Sequence, residues 1–187
     1  MQIHEAIYKF ENSISEKNCK KLIPYMDKKC SVKAQIINDD KGPKIDTEIR
    51  DVYSHFLNPH DYGAKSHFTA VANSIKGSIQ KYMKSFPFVR KLHMSDVNML
   101  KYEKGHFFKK HTDANTHLHR MISIIINLNE GYEGGDLLFH NPSTLKPYSK
   151  LQLKTGDMVL FPSNFLYPHE ITSLTKGVRY SIVAWLS

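Results

Sequence analysis

"MISIIINLN", residues 121–129, decides the fold. It is a short, strongly β-branched run with no helical spacing, and such residues favour a pleated, half-buried surface. Runs of similar length flank it: "DVNMLKY" (96–102), "DLLFH" (136–140), "GDMVLFP" (156–162) and "VRYSIVAWL" (178–186). Between them stand "YEKG" (102–105), "EGYEGG" (130–135), "NPST" (141–144) and "LKTGD" (153–157). Evenly spaced short strands with glycine-containing turns predict a sandwich or barrel rather than βαβ units.

Working outward, the first half changes character. "NSISEKNCKKLIPYMDKK" (12–29) offers Ser15 as a helix cap, followed by Cys19, Leu22, Ile23 and Met26 at helical spacing; Pro24 threatens to kink or end that helix. "SHFTAVANSIKGSIQKYMKSFP" (66–87) carries a second apolar stripe from Phe68 through Val71, Ala72, Ile75, Ile79, Tyr82 and Met83, and stops before Pro87. "NDDKGPKIDTEIRD" (38–51) is polar and turn-rich, a candidate mobile loop, and residues 38–50 are a candidate lid. The expectation is one domain over 1–187, with helices and loops in 1–95 and a β core in 96–187, the helices covering one face of the core.

Composition narrows the class. The chain has 187 residues, 41% hydrophobic and 24% charged, with no apolar run of membrane-spanning length. "MQIHEAIYKFENSIS" (1–15) lacks the basic and apolar regions of a secretory signal, which predicts an intracellular protein. Cys19 and Cys30 match neither a zinc pattern nor a disulfide framework and read as reduced thiols. The formal charge of +8 is dispersed in pairs such as Lys20-Lys21 and Lys109-Lys110, so it argues for solubility more than for nucleic-acid binding.

The chemistry lies just ahead of the opening run, in "KKHTDANTHLHR" (109–120). Two residues apart on an extended chain, His111 and Asp113 project to the same face. An imidazole and a carboxylate, completed by an imidazole from a later strand, form a metal site with open coordination positions, of the kind that holds Fe(II). Alone, His-x-Asp is a weak signal among eleven histidines. His169, after "MVLFPS" and ten residues before Arg179, offers the missing ligand. A guanidinium on the neighbouring strand suits a bidentate grip on a carboxylate. His117 and His119 repeat the two-residue spacing and read as solvated or substrate-facing loop residues.

Together these elements resemble the Fe(II)- and 2-oxoglutarate-dependent dioxygenases, most closely the prolyl 4-hydroxylase-like branch. "YEKGHFFKKHTD" (102–113), "RMISIIINLNEGYEGGDLLF" (120–139) and "LKTGDMVLFPSNFLYPHEITSLTKGVRYSIVAW" (153–185) are similar to that family's ordered motifs, and "SISEKNCKKLI" (13–23) is similar to its opening helix. The resemblance implies an α+β, mainly β fold: a double-stranded β-helix, or jelly roll, with N-terminal helices packed on one face. It implies His111, Asp113 and His169 as iron ligands, with no catalytic side chain beyond the metal centre. Arg179 and Ser181 would bind the distal carboxylate of 2-oxoglutarate, and Tyr102 would reach the cosubstrate. Asn127 stands where relatives often carry a tyrosine that touches the cosubstrate; an amide there could still donate to it, with shorter reach. Trp185 aligns with a pocket wall, and Arg120 is read as a salt bridge or a substrate contact.

The activity implied is hydroxylation of a substrate C–H coupled to conversion of 2-oxoglutarate to succinate and CO2, with ascorbate as an auxiliary reductant. A peptidyl proline, as in procollagen-type prolyl 4-hydroxylation, is the leading substrate and a peptide or protein the leading partner. Nucleobases, other side chains and small molecules are oxidised on folds of this kind too, and a cupin-like binding module without turnover is the non-enzymatic alternative.

Overall fold

A computed structural model describes residues 3–38, 42–87, 89, 92–115 and 117–187. A 3-10 turn at Ile3–Ala6 precedes β1 (Tyr8–Phe10), α1 (Glu16–Lys29), β2 (Val32–Lys33), β3 (Gln35–Asn38), β4 (Gly42–Ile45), β5 (Arg50–Asp51), β6 (Tyr53–Phe56) and α2 (Lys65–Ser85). Then come β7 (Met94–Tyr102), β8 (Phe107–His111), β9 (Ile122–Asn127), β10 (Glu133–Gly134), β11 (Leu137–His140), β12 (Pro147–Leu151), β13 (Met158–Pro162), β14 (His169–Ile171), β15 (Leu174–Lys176) and β16 (Arg179–Leu186). A seven-stranded sheet, β1-β13-β9-β16-β7-β6-β2, faces a five-stranded sheet, β12-β11-β14-β8-β5. All the strand pairs within the two sheets are antiparallel, the arrangement of a jelly roll.

The pleat of β9 and β16 sorts the two cores. Ile122, Ile124 and Ile126 of β9, with Tyr180, Ile182, Ala184 and Leu186 of β16, face the helices and pack with Leu22, Met26, Val71 and Ile75. Ile125, on the opposite face of β9, joins Leu100, Phe139, Val159, Phe161 and Ile171 between the sheets. The register Ser181↔Asn127, Ile182↔Ile126, Val183↔Ile125 keeps like faces together across the pair.

Local chemistry explains the helices. The Ser15 hydroxyl caps α1 by accepting from the Asn18 amide at 3.3 Å, and Lys28 and Lys29 sit in the last turn, where the helix dipole favours cations. α1 runs through Pro24 without ending; this residue is exposed, as is Lys20, whose carbonyl loses its partner and can turn to water. α2 buries Val71, Ile75, Ser78 and Tyr82, and the Tyr82 hydroxyl donates to the Ala6 carbonyl at 2.9 Å.

The first 95 residues hold more than helices and loops. β1, β2 and β6 extend the larger sheet and β5 extends the smaller one. Several of these strands are two or three residues long, too short to show a period in sequence. Of the expected lid, residues 42–45 are strand β4, paired with β3 in a hairpin, whereas residues 39–41 lie outside the described residues. Cys19 and Cys30 are free and buried, and burial pushes their thiols up to about 11 and about 12. Among the described residues no helix is long and apolar enough to cross a membrane.

Candidate metal centre and cosubstrate chamber

His111 ends β8 and His169 opens β14, and the two are direct partners across that strand pair. Asp113 follows two residues beyond the end of β8. His111 Nε2 lies 3.5 Å from Asp113 Oδ1, and His169 Nε2 lies 3.6 Å from Asp113 Oδ2. One ligand atom from each residue falls within 4.8 Å of the others, so a single ion could touch all three.

Both rings are set for coordination. His111 Nδ1 bonds the Lys109 carbonyl at 2.8 Å and His169 Nδ1 bonds the Tyr167 carbonyl at 3.1 Å. A carbonyl only accepts, so each Nδ1 carries the proton and each Nε2 keeps its lone pair toward the cluster. Burial holds His169 down at about 4, with His111 beside it acting in the same direction, so it is neutral at ordinary pH. Burial opposes ionisation of Asp113, but the attraction of the two imidazoles whenever they are protonated and a hydrogen bond from Ser123 hold its carboxyl far below the usual carboxylate range. That bond is 2.6 Å to Oδ2, and the Ser163 hydroxyl backs Ser123 at 2.8 Å. Phe108 stacks on the His111 ring at 3.5 Å between centroids, and Phe139 and Phe161 wall His169.

A narrow inner chamber joins this cluster to Arg179. Tyr102, Ile125, Ile171, Arg179, Ser181 and Val183 line it together with the three ligand residues. Arg179 is 2% exposed and Tyr102 1% exposed; the two are direct partners across β16 and β7, with the guanidinium 5.1 Å from the phenol ring. Arg179 Nη1 donates to Ser181 Oγ at 3.3 Å, but its Nε has no partner. Among the described residues no carboxylate is in ion-pair range of Arg179. A buried cation with a free N–H in a chamber walled by Leu100, Ile125, Ile171 and Val183 fits an incoming carboxylate.

The residues expected from sequence divide accordingly. His111, Asp113 and His169 come together, and Tyr102, Arg179 and Ser181 share the chamber with them. Asn127 does not reach the chamber, contrary to the expectation that it touches the cosubstrate. Its amide nitrogen donates to the carbonyls of Asn129 (2.7 Å) and Leu153 (3.0 Å), and its Oδ1 accepts from the Tyr132 hydroxyl (3.0 Å), so both ends are occupied. Trp185 lines both the chamber and an outer cleft of about 730 Å³. Arg120 also lines the outer cleft: its guanidinium lies 3.5 Å over the Trp185 ring, 3.4 Å from the Asp113 carbonyl and 3.7 Å from the Asp96 carboxylate. His117 and His119 are exposed and border neither space.

Sequence reasoning missed Ser123, Ser163, Phe108 and Arg50. Strict alternation along β9 could have found Ser123, a polar residue on the inward face of an isoleucine run. Arg50 carried no local signal, because its position depends on the pairing of two-residue β5 with β8.

Comparison with known proteins agrees with this geometry. Residues 97–187 match the family model described as the 2OG-Fe(II) oxygenase superfamily. Over this jelly-roll half the chain resembles that superfamily, and as a whole it resembles its prolyl 4-hydroxylase-like branch. Human Prolyl 3-hydroxylase 3 is 31% identical over 67 residues, covering 36% of this chain and 9% of the relative. A PKHD-type hydroxylase of Acinetobacter baumannii is 33% identical over 96 residues, covering 46% of this chain and 40% of the relative. The matches thus span less than half of these relatives' lengths. A Pseudomonas putida prolyl-4-hydroxylase superposes with a TM-score of 0.71 at 18% identity, covering 96% of this chain and 91% of that one. A Trichoplax adhaerens prolyl hydroxylase, solved with a hypoxia inducible factor peptide fragment, superposes at 0.78 with 14% identity, covering 97% and 83%. At such identities these two superpositions speak for the fold.

Proposed function

We propose that the protein is an Fe(II)- and 2-oxoglutarate-dependent hydroxylase of a peptidyl proline, with His111, Asp113 and His169 as metal ligands and Arg179, Ser181 and Tyr102 as the cosubstrate site. One observation carries the reading. Two imidazoles with fixed Nε2 lone pairs and an ionised carboxylate converge in a chamber that also holds a buried guanidinium with a free N–H. That donor set suits Fe(II) and leaves positions for other ligands. Bound there, the iron and 2-oxoglutarate supply the oxidising chemistry, with succinate, CO2 and a hydroxylated product as the outcome.

The chain's own residues bind, orient and exclude water. Lys109 and Tyr167 carbonyls fix the two ring tautomers, and Ser123 fixes the Asp113 carboxylate. Arg179 offers charge and an N–H to the cosubstrate's far carboxylate, seconded by the Ser181 hydroxyl. Leu100, Ile125, Ile171 and Val183 keep the chamber apolar. The outer cleft, bounded by the β3–β4 hairpin through Ile36, Ile37 and Pro43, has room for an extended peptide. Its likeness to proteins named as prolyl hydroxylases supports a proline as the oxidised residue.

The test is metal binding by titration together with succinate formation from 2-oxoglutarate, with Fe(II), ascorbate and proline-containing peptides, beside His111→Ala. The wild type should bind one Fe(II) per chain and form succinate, and His111→Ala should do neither. A metal-loaded wild type that forms no succinate with or without peptide sinks the reading.

A further inference from the structure

Beyond the triad and Arg179, Arg50 is a half-buried cation that the site described so far does not use. Arg50 lines both the inner chamber and the outer cleft, so it stands at the opening through which a substrate reaches the metal ligands. Its guanidinium lies 4.6 Å over the Phe108 ring, and Phe108 is itself stacked on His111. Nη1 donates to the Gln35 carbonyl at 3.0 Å, but Nε is buried without a partner.

No carboxylate among the described residues is in ion-pair range of Arg50. Its sequence neighbour Asp51 is committed to Lys33, with His106 3.7 Å away. Asp113 lies between the two imidazoles. Arg120 adds a second guanidinium to the cleft, 3.5 Å over the Trp185 ring and only loosely offset by Asp96 at 3.7 Å. Asp113 attracts both guanidiniums, but it is the carboxylate that a bound metal would engage, which leaves only Asp96 as a loose offset for the two cations at the opening. A neutral carbonyl would satisfy the free N–H of Arg50 yet leave its charge uncompensated in a poorly solvated site, whereas a carboxylate would satisfy both.

We propose that Arg50 is a specificity-determining residue that receives a carboxylate borne by the substrate close to the carbon that is oxidised, with Arg120 as the second cation of the same subsite. The oxidised residue therefore lies beside an acidic one. This rests on the hydroxylase reading above, and the test separates the two.

Trp185 is the only tryptophan of the chain and lines the cleft, so its fluorescence reports binding there. The full chain, loaded with Fe(II) and 2-oxoglutarate under argon to prevent turnover, is titrated with the blocked peptide Ala-Asp-Pro-Asp-Ala and with its Asn-for-Asp counterpart. Both are repeated with alanine in place of proline. The Asp peptides should bind about tenfold or more tighter than the Asn peptides. Arg50→Gln should bring that ratio to about one, and Arg50→Lys should keep part of it. Equal affinity for Asp and Asn peptides, or no binding of either Asp peptide, overturns the proposal. So does an Arg50→Gln protein that keeps the preference, or one that loses 2-oxoglutarate affinity while keeping it. If the Asp preference stands and proline makes no difference, the proposal holds and the prolyl reading falls. A proline preference without an Asp preference overturns the proposal and leaves the prolyl reading standing.

Discussion

His111 and His169 face one another directly across the β8–β14 pair, and each donates its Nδ1 proton to the carbonyl two residues earlier in the chain. The same local device is thus used twice, once as β8 ends and once as β14 begins. Asp113 then needs only to fall between the two Nε2 atoms, and Ser123 holds it there.

Ser123→Ala removes the hydroxyl that orients Asp113 without touching a ligand. Metal affinity should fall by about 10- to 100-fold, as for other outer partners of metal ligands, while the fold persists. Competition titration with a chromophoric chelator measures it. Unchanged affinity would show that Ser123 is no more than packing.

Arg179→Met should have opposite effects on two readouts. Removing a buried cation without a counter-ion should raise the melting temperature of the metal-free protein, because well-packed apolar replacements of buried charges are often stabilising. The same change should weaken 2-oxoglutarate binding by roughly 30-fold or more, the cost of losing a buried charge-assisted partner. Thermal shift with and without 2-oxoglutarate reports both, and an undiminished 2-oxoglutarate shift would remove Arg179 from the cosubstrate site.

Gly156→Ala should destabilise the protein by at least about 2 kcal/mol. Gly156 has φ +84°, and an added Cβ would lie 2.3 Å from the Ile14 carbonyl oxygen. Its amide donates to the Asn127 carbonyl at 2.8 Å and its carbonyl accepts from the Ile14 amide at 3.2 Å, so neither side can give way freely. A fall in melting temperature of roughly 4–8 °C is expected for a chain of this size.

Asp157 predicts an acid limit to stability. Its buried carboxylate accepts from Lys9 Nζ (2.9 Å), the Lys154 amide (2.9 Å) and the Asn12 amide (3.2 Å). Burial alone would push its carboxyl up, but these bonds together hold it below the ordinary value. The contribution is therefore fully present above the unfolded carboxylate range, about pH 4, and is lost as pH falls through the lower folded-state value. Asp157→Asn should cost about 2 kcal/mol near neutrality. Denaturant unfolding of the two proteins should converge as the pH drops below about 4; a gap that persists unchanged in acid would contradict the assignment.

What could be read from the chain followed the range of the forces involved. The β character after residue 96 showed because each strand carries its own run of β-branched residues, and α1 showed because Ser15 and its apolar stripe are local. β2 and β5, two residues each, exist only through partners elsewhere, and so does the placement of Arg50 at the site's opening. Asn127 illustrates the same limit: its place on the strand was legible, but its partners Leu153 and Tyr132 arrive from turns whose course no local pattern specifies. The pairing of His169 with the earlier two ligands rested on resemblance, because a separation of that length has no local signal.

The alternation of β16 has a consequence for how the chain avoids wrong structures. A slip of one residue against β9 would exchange the positions of Arg179 and Ser181 with those of Tyr180 and Ile182. It would bring the Ser181 hydroxyl into the isoleucine layer at the place of fully buried Ile182, set Arg179 at the place of Tyr180, and empty the opposite face of its cation. The alternation that points the proposed cosubstrate anchor inward therefore also penalises misregistered sheets during folding.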